Sequence, residues 1–115
     1  MTRPITTFQT FEGRRRYYRK SARVVVRYCL SGREYVGQIT NLSLGGACIK
    51  VSRPLQPGEV IELHFTLFSN RSEPLTITGQ VVSVRPIPPG IWAVGIKFHQ
   101  LEWAVEKDLG FFMLN

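Results

Sequence analysis

Val60-Ile61-Glu62-Leu63-His64-Phe65-Thr66-Leu67 alternates apolar and polar residues at every step after its first position. Successive side chains of an extended chain point to opposite faces, so Ile61, Leu63, Phe65 and Leu67 belong inside while Glu62, His64 and Thr66 belong outside. A half-buried strand needs partners to cover its apolar face, and the pattern recurs on both sides of this stretch. Downstream, Trp92, Val94, Ile96 and Phe98 alternate in the same way, and residues 75–84 read as another strand, with Gly79 a candidate bulge. Upstream, a Val-rich segment at residues 23–30 ends at the turn pair Ser31-Gly32, and residues 34–41 and 47–51 follow as strands. Pro54, Pro57-Gly58 and the group Pro86, Pro88, Pro89, Gly90 punctuate the chain between these segments. Leu101, Ala104, Val105, Leu109, Phe112 and Met113 recur instead at steps of three and four, the spacing of an amphipathic helix, with Gly110 weakening its last turn.

Six short antiparallel strands followed by one helix predict an all-β fold: a six-stranded antiparallel barrel with a C-terminal α-helix and a basic N-terminal arm. Closure removes the exposed edges that a flat six-stranded sheet would carry. The 115 residues are enough for one domain, and a 43% hydrophobic content is enough for its core. The expected division is an arm over residues 1–22 and the barrel with its helix over residues 23–115. No apolar run approaches the length of a membrane span, and the first eleven residues lack the apolar centre of a signal peptide. The chain is therefore read as unexported and cytoplasmic, without membrane association. Cys29 and Cys48, each within an apolar stretch, are expected to be reduced core thiols.

The net charge of +7 is not spread evenly. Residues 1–33 hold nine cations against Glu12 alone, and eight of the nine are arginine, while the rest of the chain is close to neutral. A neutral body with a basic arm predicts an anionic partner for the arm. Arginine sharpens the expectation, because its planar fork pairs bidentately with phosphate and with the O6/N7 edge of guanine.

Two clusters give this partner a form. Arg14-Arg15-Arg16-Tyr17-Tyr18-Arg19 contains R-x-x-x-R at Arg15 and Arg19, and Asn41-Leu42-Ser43-Leu44-Gly45-Gly46 fits N-x-S-x-x-G. Arg19 and Arg23 satisfy the first spacing as well, but Arg23 reads as the start of a strand and a ligand-binding arm should precede it. In this order, ahead of the late Val94-Gly95-Ile96-Lys97-Phe98 strand and the helix, the two motifs resemble the PilZ family over residues 13–114. The resemblance implies a receptor for cyclic di-GMP, a ligand with two phosphodiesters and two guanines. It implies that Arg15 and Arg19 reach the phosphates and guanine edges, that Asn41 hydrogen-bonds a guanine, and that Ser43 offers its hydroxyl at the barrel surface. It implies that Gly46 leaves space where a Cβ would clash, or adopts a positive φ. Arg14 and Arg16 would add phosphate contacts, and Arg85 is a secondary candidate. In proteins that this one resembles, an arginine immediately before the R-x-x-x-R pair accompanies two mutually intercalated nucleotides, so the resemblance implies two per chain through Arg14. The ligand is expected to order an arm that is mobile without it, and so to signal to a separate, unidentified output protein.

The residues leave two other functions open. A small basic barrel with aromatics also suits a nonspecific single-stranded nucleic-acid binder, though such a protein does not need N-x-S-x-x-G. A PilZ-like adaptor that binds no nucleotide would not need both motifs. Catalysis is not expected: G-x-S-x-G, H-E-x-x-H and P-loop patterns are absent. His64 and His99 read as isolated from each other and from any Cys or carboxylate at ligand spacing, so neither a metal nor a cofactor is expected.

Overall fold

The computed structural model describes residues 19–67 and 74–114. In chain order the elements are β1 (Lys20–Leu30), β2 (Arg33–Leu42), β3 (Gly46–Val51), β4 (Val60–Phe65), β5 (Leu75–Ile87), β6 (Ile91–Phe98) and α1 (Trp103–Met113). The strands are antiparallel throughout and close into a barrel, as the sequence predicts, and their order around it is β1-β2-β3-β6-β5-β4. The β1–β2 hairpin is set by its two turn residues: Ser31 and Gly32 have φ of 53° and 79°, the positive values at both positions that a twist-matched two-residue turn requires.

Inward residues of all six strands form one core that includes Val26, Ile39, Ile49, Ile61, Leu63, Val81, Val94 and Ile96, each at most 3% exposed. Tyr28 is buried among them and stacks on Tyr35 with ring centroids 5.4 Å apart. Burial raises the pKa of the Tyr28 hydroxyl; Arg53, whose guanidinium lies 4.5 Å from the Tyr35 ring centroid, opposes that shift and Tyr35 adds to it. From α1, Leu109 enters the core completely, with Val105 and Phe112 beside it. Ala104 is exposed, against the expectation that it lies on the buried face. The helix is anchored at its far end by Lys20, whose Nζ donates to the Phe112 carbonyl at 3.0 Å and lies 4.3 Å from that ring's centroid. A cation at a helix C-terminus also meets the negative end of the helix dipole.

Several local expectations differ from the structure. β1 begins at Lys20 rather than at Arg23, because a shift in register between Ser21 and Val24 lets the strand pair with β2 on both sides of the irregularity. β5 continues past Val84 and through Pro86, which lies opposite Trp92. Its pairing with β4 stops at Gln80, so Pro86 sits on a free edge where a missing N–H is tolerated. Gly79 is not at a bulge; it pairs in register with Ile61 and Phe98, and the β5 irregularity lies between Val81 and Ser83. Cys29 and Cys48 are free thiols but not core ones: each is half-buried, alternating with inward neighbours. Among the described residues, no helix is long and apolar enough to cross a membrane.

Candidate functional site

The turn between β2 and β3 is built around Ser43, which is 3% exposed. Its Oγ accepts from the backbone N–H groups of Gly45 and Gly46, both at 3.1 Å, and donates to the Gly46 carbonyl at 3.2 Å. The Ser43 N–H donates to the same carbonyl at 2.9 Å, and the Gly45 carbonyl accepts from Phe98 N–H at 2.9 Å, tying the turn to the end of β6. Ser43 thus closes a local network, as a serine at a turn does, and does not present its hydroxyl at the barrel surface as expected. At Gly46 the requirement is space: a Cβ would run into the Ile96 carbonyl of the neighbouring strand. What excludes a side chain there is the close approach of β3 to β6.

Asn41 is placed differently. It is half-buried near the end of β2, between Ser21 of β1 and Cys48 of β3. Its Oδ1 accepts a hydrogen bond from Arg19 Nη1 at 3.0 Å. Arg19 stands immediately before β1, and the antiparallel pairing of Lys20 with Leu42 brings it to the end of β2. This bond joins the two sequence motifs, which lie 22 residues apart in the chain. Arg14, Arg15 and Arg16 lie outside the described residues, as do the first 18 residues of the expected arm over residues 1–22.

Beside this junction, the outer face of β1, β2 and β3 carries an open groove of about 670 Å³ lined by Ser21, Ala22, Arg23, Gln38, Thr40 and Lys50. Irregularities in β1 between Ser21 and Val24, and in β2 around Thr40, fall at the same level of the sheet and bend it there. Thr40 Oγ1 donates to the Cys48 carbonyl at 3.3 Å. Arg23 and Lys50 are exposed, and the groove lining contains no carboxylate, so this face favours an anion. Arg85 is exposed on β5 opposite Ala93, which pairs on its other side with Lys50, so Arg85 lies two strands beyond the groove. Sequence reasoning missed Gln38, Thr40 and Lys50 and set Arg23 aside. The outward parity of Gln38 and Lys50 was legible from strand alternation, but their adjacency depends on pairing register.

The structure also corrects the reading of His64. Its Nε2 lies 2.9 Å from Glu62 Oε1, its Nδ1 lies 3.1 Å from Thr76 Oγ1, and Cys29 of the neighbouring strand joins the group. Glu62 is two residues away on the same face of β4, whereas Cys29 is brought in only by pairing between distant segments.

The family model described as PilZ domain matches residues 13–114. Among curated proteins, none matches. Solved structures with similar folds include the Bacillus subtilis inhibitor of motility MotI/DgrA, at 18% identity and a TM-score of 0.72, covering 88% of this chain and 50% of that one. The PilZ domain with c-di-GMP of YcgR from Escherichia coli is similar at 21% identity and a TM-score of 0.71, covering 88% of this chain and 89% of that one. The K. pneumonia MrkH–c-di-GMP complex is similar at 19% identity and a TM-score of 0.70, covering 88% and 51%. The chain thus spans about half the length of the MotI/DgrA and MrkH chains. At these identities the likeness is one of fold.

Proposed function

The chain belongs to the PilZ domain family, and from that premise we propose that it is a cyclic di-GMP receptor, not an enzyme. The nucleotide lies between the arginine-rich arm and the outer face of β1, β2 and β3. The observation that carries this reading is the hydrogen bond from Arg19 to Asn41, because it brings the last residue of one motif to the first of the other, next to a groove whose described lining holds cations and no acid. Two similar folds, the YcgR PilZ domain and MrkH, were solved with c-di-GMP. In this proposal Arg15 and Arg19 pair with phosphates or the O6/N7 edge of guanine, and Asn41 exchanges its bond with Arg19 for one to the base. Arg14 and Arg16 add phosphate contacts. Arg23 and Lys50 line the path of the ligand, and Arg85 lies beyond it. Ser43 and Gly46 serve the site by holding the β2–β3 turn in place. Binding changes the arm, and the altered surface engages or releases an output protein.

Calorimetric titration with cyclic di-GMP tests the proposal, with GTP and a short single-stranded oligonucleotide as controls. Arg15→Ala and Arg19→Ala should each weaken binding by one to two decades, since losing a charge-assisted contact costs about 1.5–3 kcal/mol. Equal affinity in wild type and both variants would sink the assignment, and tighter binding of the oligonucleotide would favour a single-stranded nucleic-acid binder. The same titration reads stoichiometry. Two nucleotides per chain are expected, because a second, intercalated ligand supplies phosphates and guanine faces for the guanidinium of Arg14. Arg14→Leu should lower the ratio while retaining binding; a wild-type ratio of one would overturn the role of Arg14 and leave the receptor assignment standing.

A further inference from the structure

The barrel closes where β1 meets β4, and this seam is short: Arg27 pairs with His64, Tyr28 with Leu63 and Cys29 with Glu62. Tyr28 and Leu63 point into the core, so Cys29, Glu62 and His64 stand together on the outer surface. The Cys29 sulfur, a Glu62 carboxylate oxygen and a ring nitrogen of His64 all lie within 4.8 Å of one another. A tetrahedral zinc ion, with Zn–S of about 2.3 Å and Zn–N of about 2.0 Å, holds its donors roughly 3.5 Å apart. Small side-chain rotations would therefore gather the three donors with the backbone unchanged. We propose that Cys29, Glu62 and His64 form a zinc-binding site that clips the closing seam of the barrel, with a fourth position open to water.

The donor set argues for this ion: a thiolate, an imidazole and a carboxylate together suit borderline Zn²⁺ and not the all-oxygen shells of Mg²⁺ or Ca²⁺. Preorganisation argues for the place, since two residues come from one strand and the third from its hydrogen-bonded neighbour. Thr76 supplies the outer contact that orients a metal-binding histidine. In the neutral tautomer that carries its proton on Nε2, His64 Nε2–H donates to Glu62 and the Thr76 hydroxyl donates to Nδ1, at 2.9 and 3.1 Å. With zinc on Nε2, the imidazole proton moves to Nδ1, where Thr76 Oγ1 accepts it; a hydroxyl can take either role. The thiol loses its proton to solvent as the Zn–S bond forms. Local charge is compatible: Glu34 faces Cys29 from β2, and its carboxylate pairs with Arg27, the cation nearest the cluster along β1, at 3.2 Å.

The full reduced chain is titrated with Co²⁺ and then Zn²⁺. One equivalent of Co²⁺ should produce a thiolate-to-cobalt charge-transfer band that Zn²⁺ abolishes by displacement. The band should be absent in Cys29→Ser, present in Cys48→Ser, and formed only at much higher Co²⁺ in His64→Gln. Thr76→Val should weaken zinc binding roughly tenfold. A readout without variants is cysteine alkylation of the wild type mapped by mass: zinc should slow modification of Cys29 at least tenfold and leave Cys48 unaffected. No band in the wild type, a band that survives Cys29→Ser, or equal protection of both cysteines would overturn the site.

Discussion

The turn from Ser43 to Gly46 and the groove across β1, β2 and β3 are neighbours on one side of the barrel, yet they use polar groups in opposite ways. In the turn, the Ser43 hydroxyl has its partners within residues 43–46, and Gly46 is fitted against the Ile96 carbonyl. In the groove, Arg23, Gln38 and Lys50 are exposed, and among the described residues its lining holds no acid to neutralise the cations. Asn41 stands on the border, first in the motif and bonded to the arginine that precedes β1. Under the proposed function, a six-residue motif is thus divided between one residue that meets the ligand and two that build the turn beside it.

The largest effect that tests this division is expected at Gly46. Gly46→Ala forces a methyl group against backbone, which cannot move aside as a flexible side chain can. It should destabilise the fold by about 3 kcal/mol, read as a lower midpoint in denaturant-induced unfolding. Unchanged stability with lost nucleotide binding would move Gly46 to the ligand side of the comparison. Ser43→Ala comes next. It removes the acceptor for two backbone N–H groups, one of them buried, and should cost about 1–2 kcal/mol of stability while the folded protein keeps its affinity. A normal unfolding midpoint with weakened binding would mean that the hydroxyl reaches ligand after all. The smallest effect is expected at Lys50, whose ammonium is exposed at the groove, where water and salt would screen it from the proposed ligand. Lys50→Gln should leave stability alone and weaken cyclic di-GMP binding roughly threefold at low salt, with the difference fading as salt is added. A Lys50→Gln variant indistinguishable from wild type at low salt would place the ligand off the groove.

Much of this architecture is legible in the amino-acid sequence. The alternation of Ile61, Leu63 and Phe65 against Glu62 and His64 is reproduced as buried against outward residues in β4, and the Ser31-Gly32 turn falls where its chemistry requires. The differences cluster where pairing overrides local preference. Pro86 does not end β5, because only one of that strand's edges is paired there. Gly79 reads as a bulge in isolation, but a Cβ there would stand 2.6 Å from the Ile96 Cγ2 and 2.9 Å from the Lys97 carbonyl, which is a packing requirement of β6.

Strand parity, turn positions and the asymmetry of charge are properties of short windows, governed by φ/ψ preference and by which face of a segment is apolar. These the sequence by itself determined, along with the fold class and the two motifs. Which outward side chains become neighbours is a different kind of fact. The bond from Arg19 to Asn41, the meeting of Arg23 with Lys50, and the approach of Cys29 to Glu62 and His64 each join segments far apart in the chain. A slip of one residue in pairing, or a bulge moved by one position, would turn any of these groups to the other face. Only the closed barrel, with the pairing register that its packed core selects, decides that they meet.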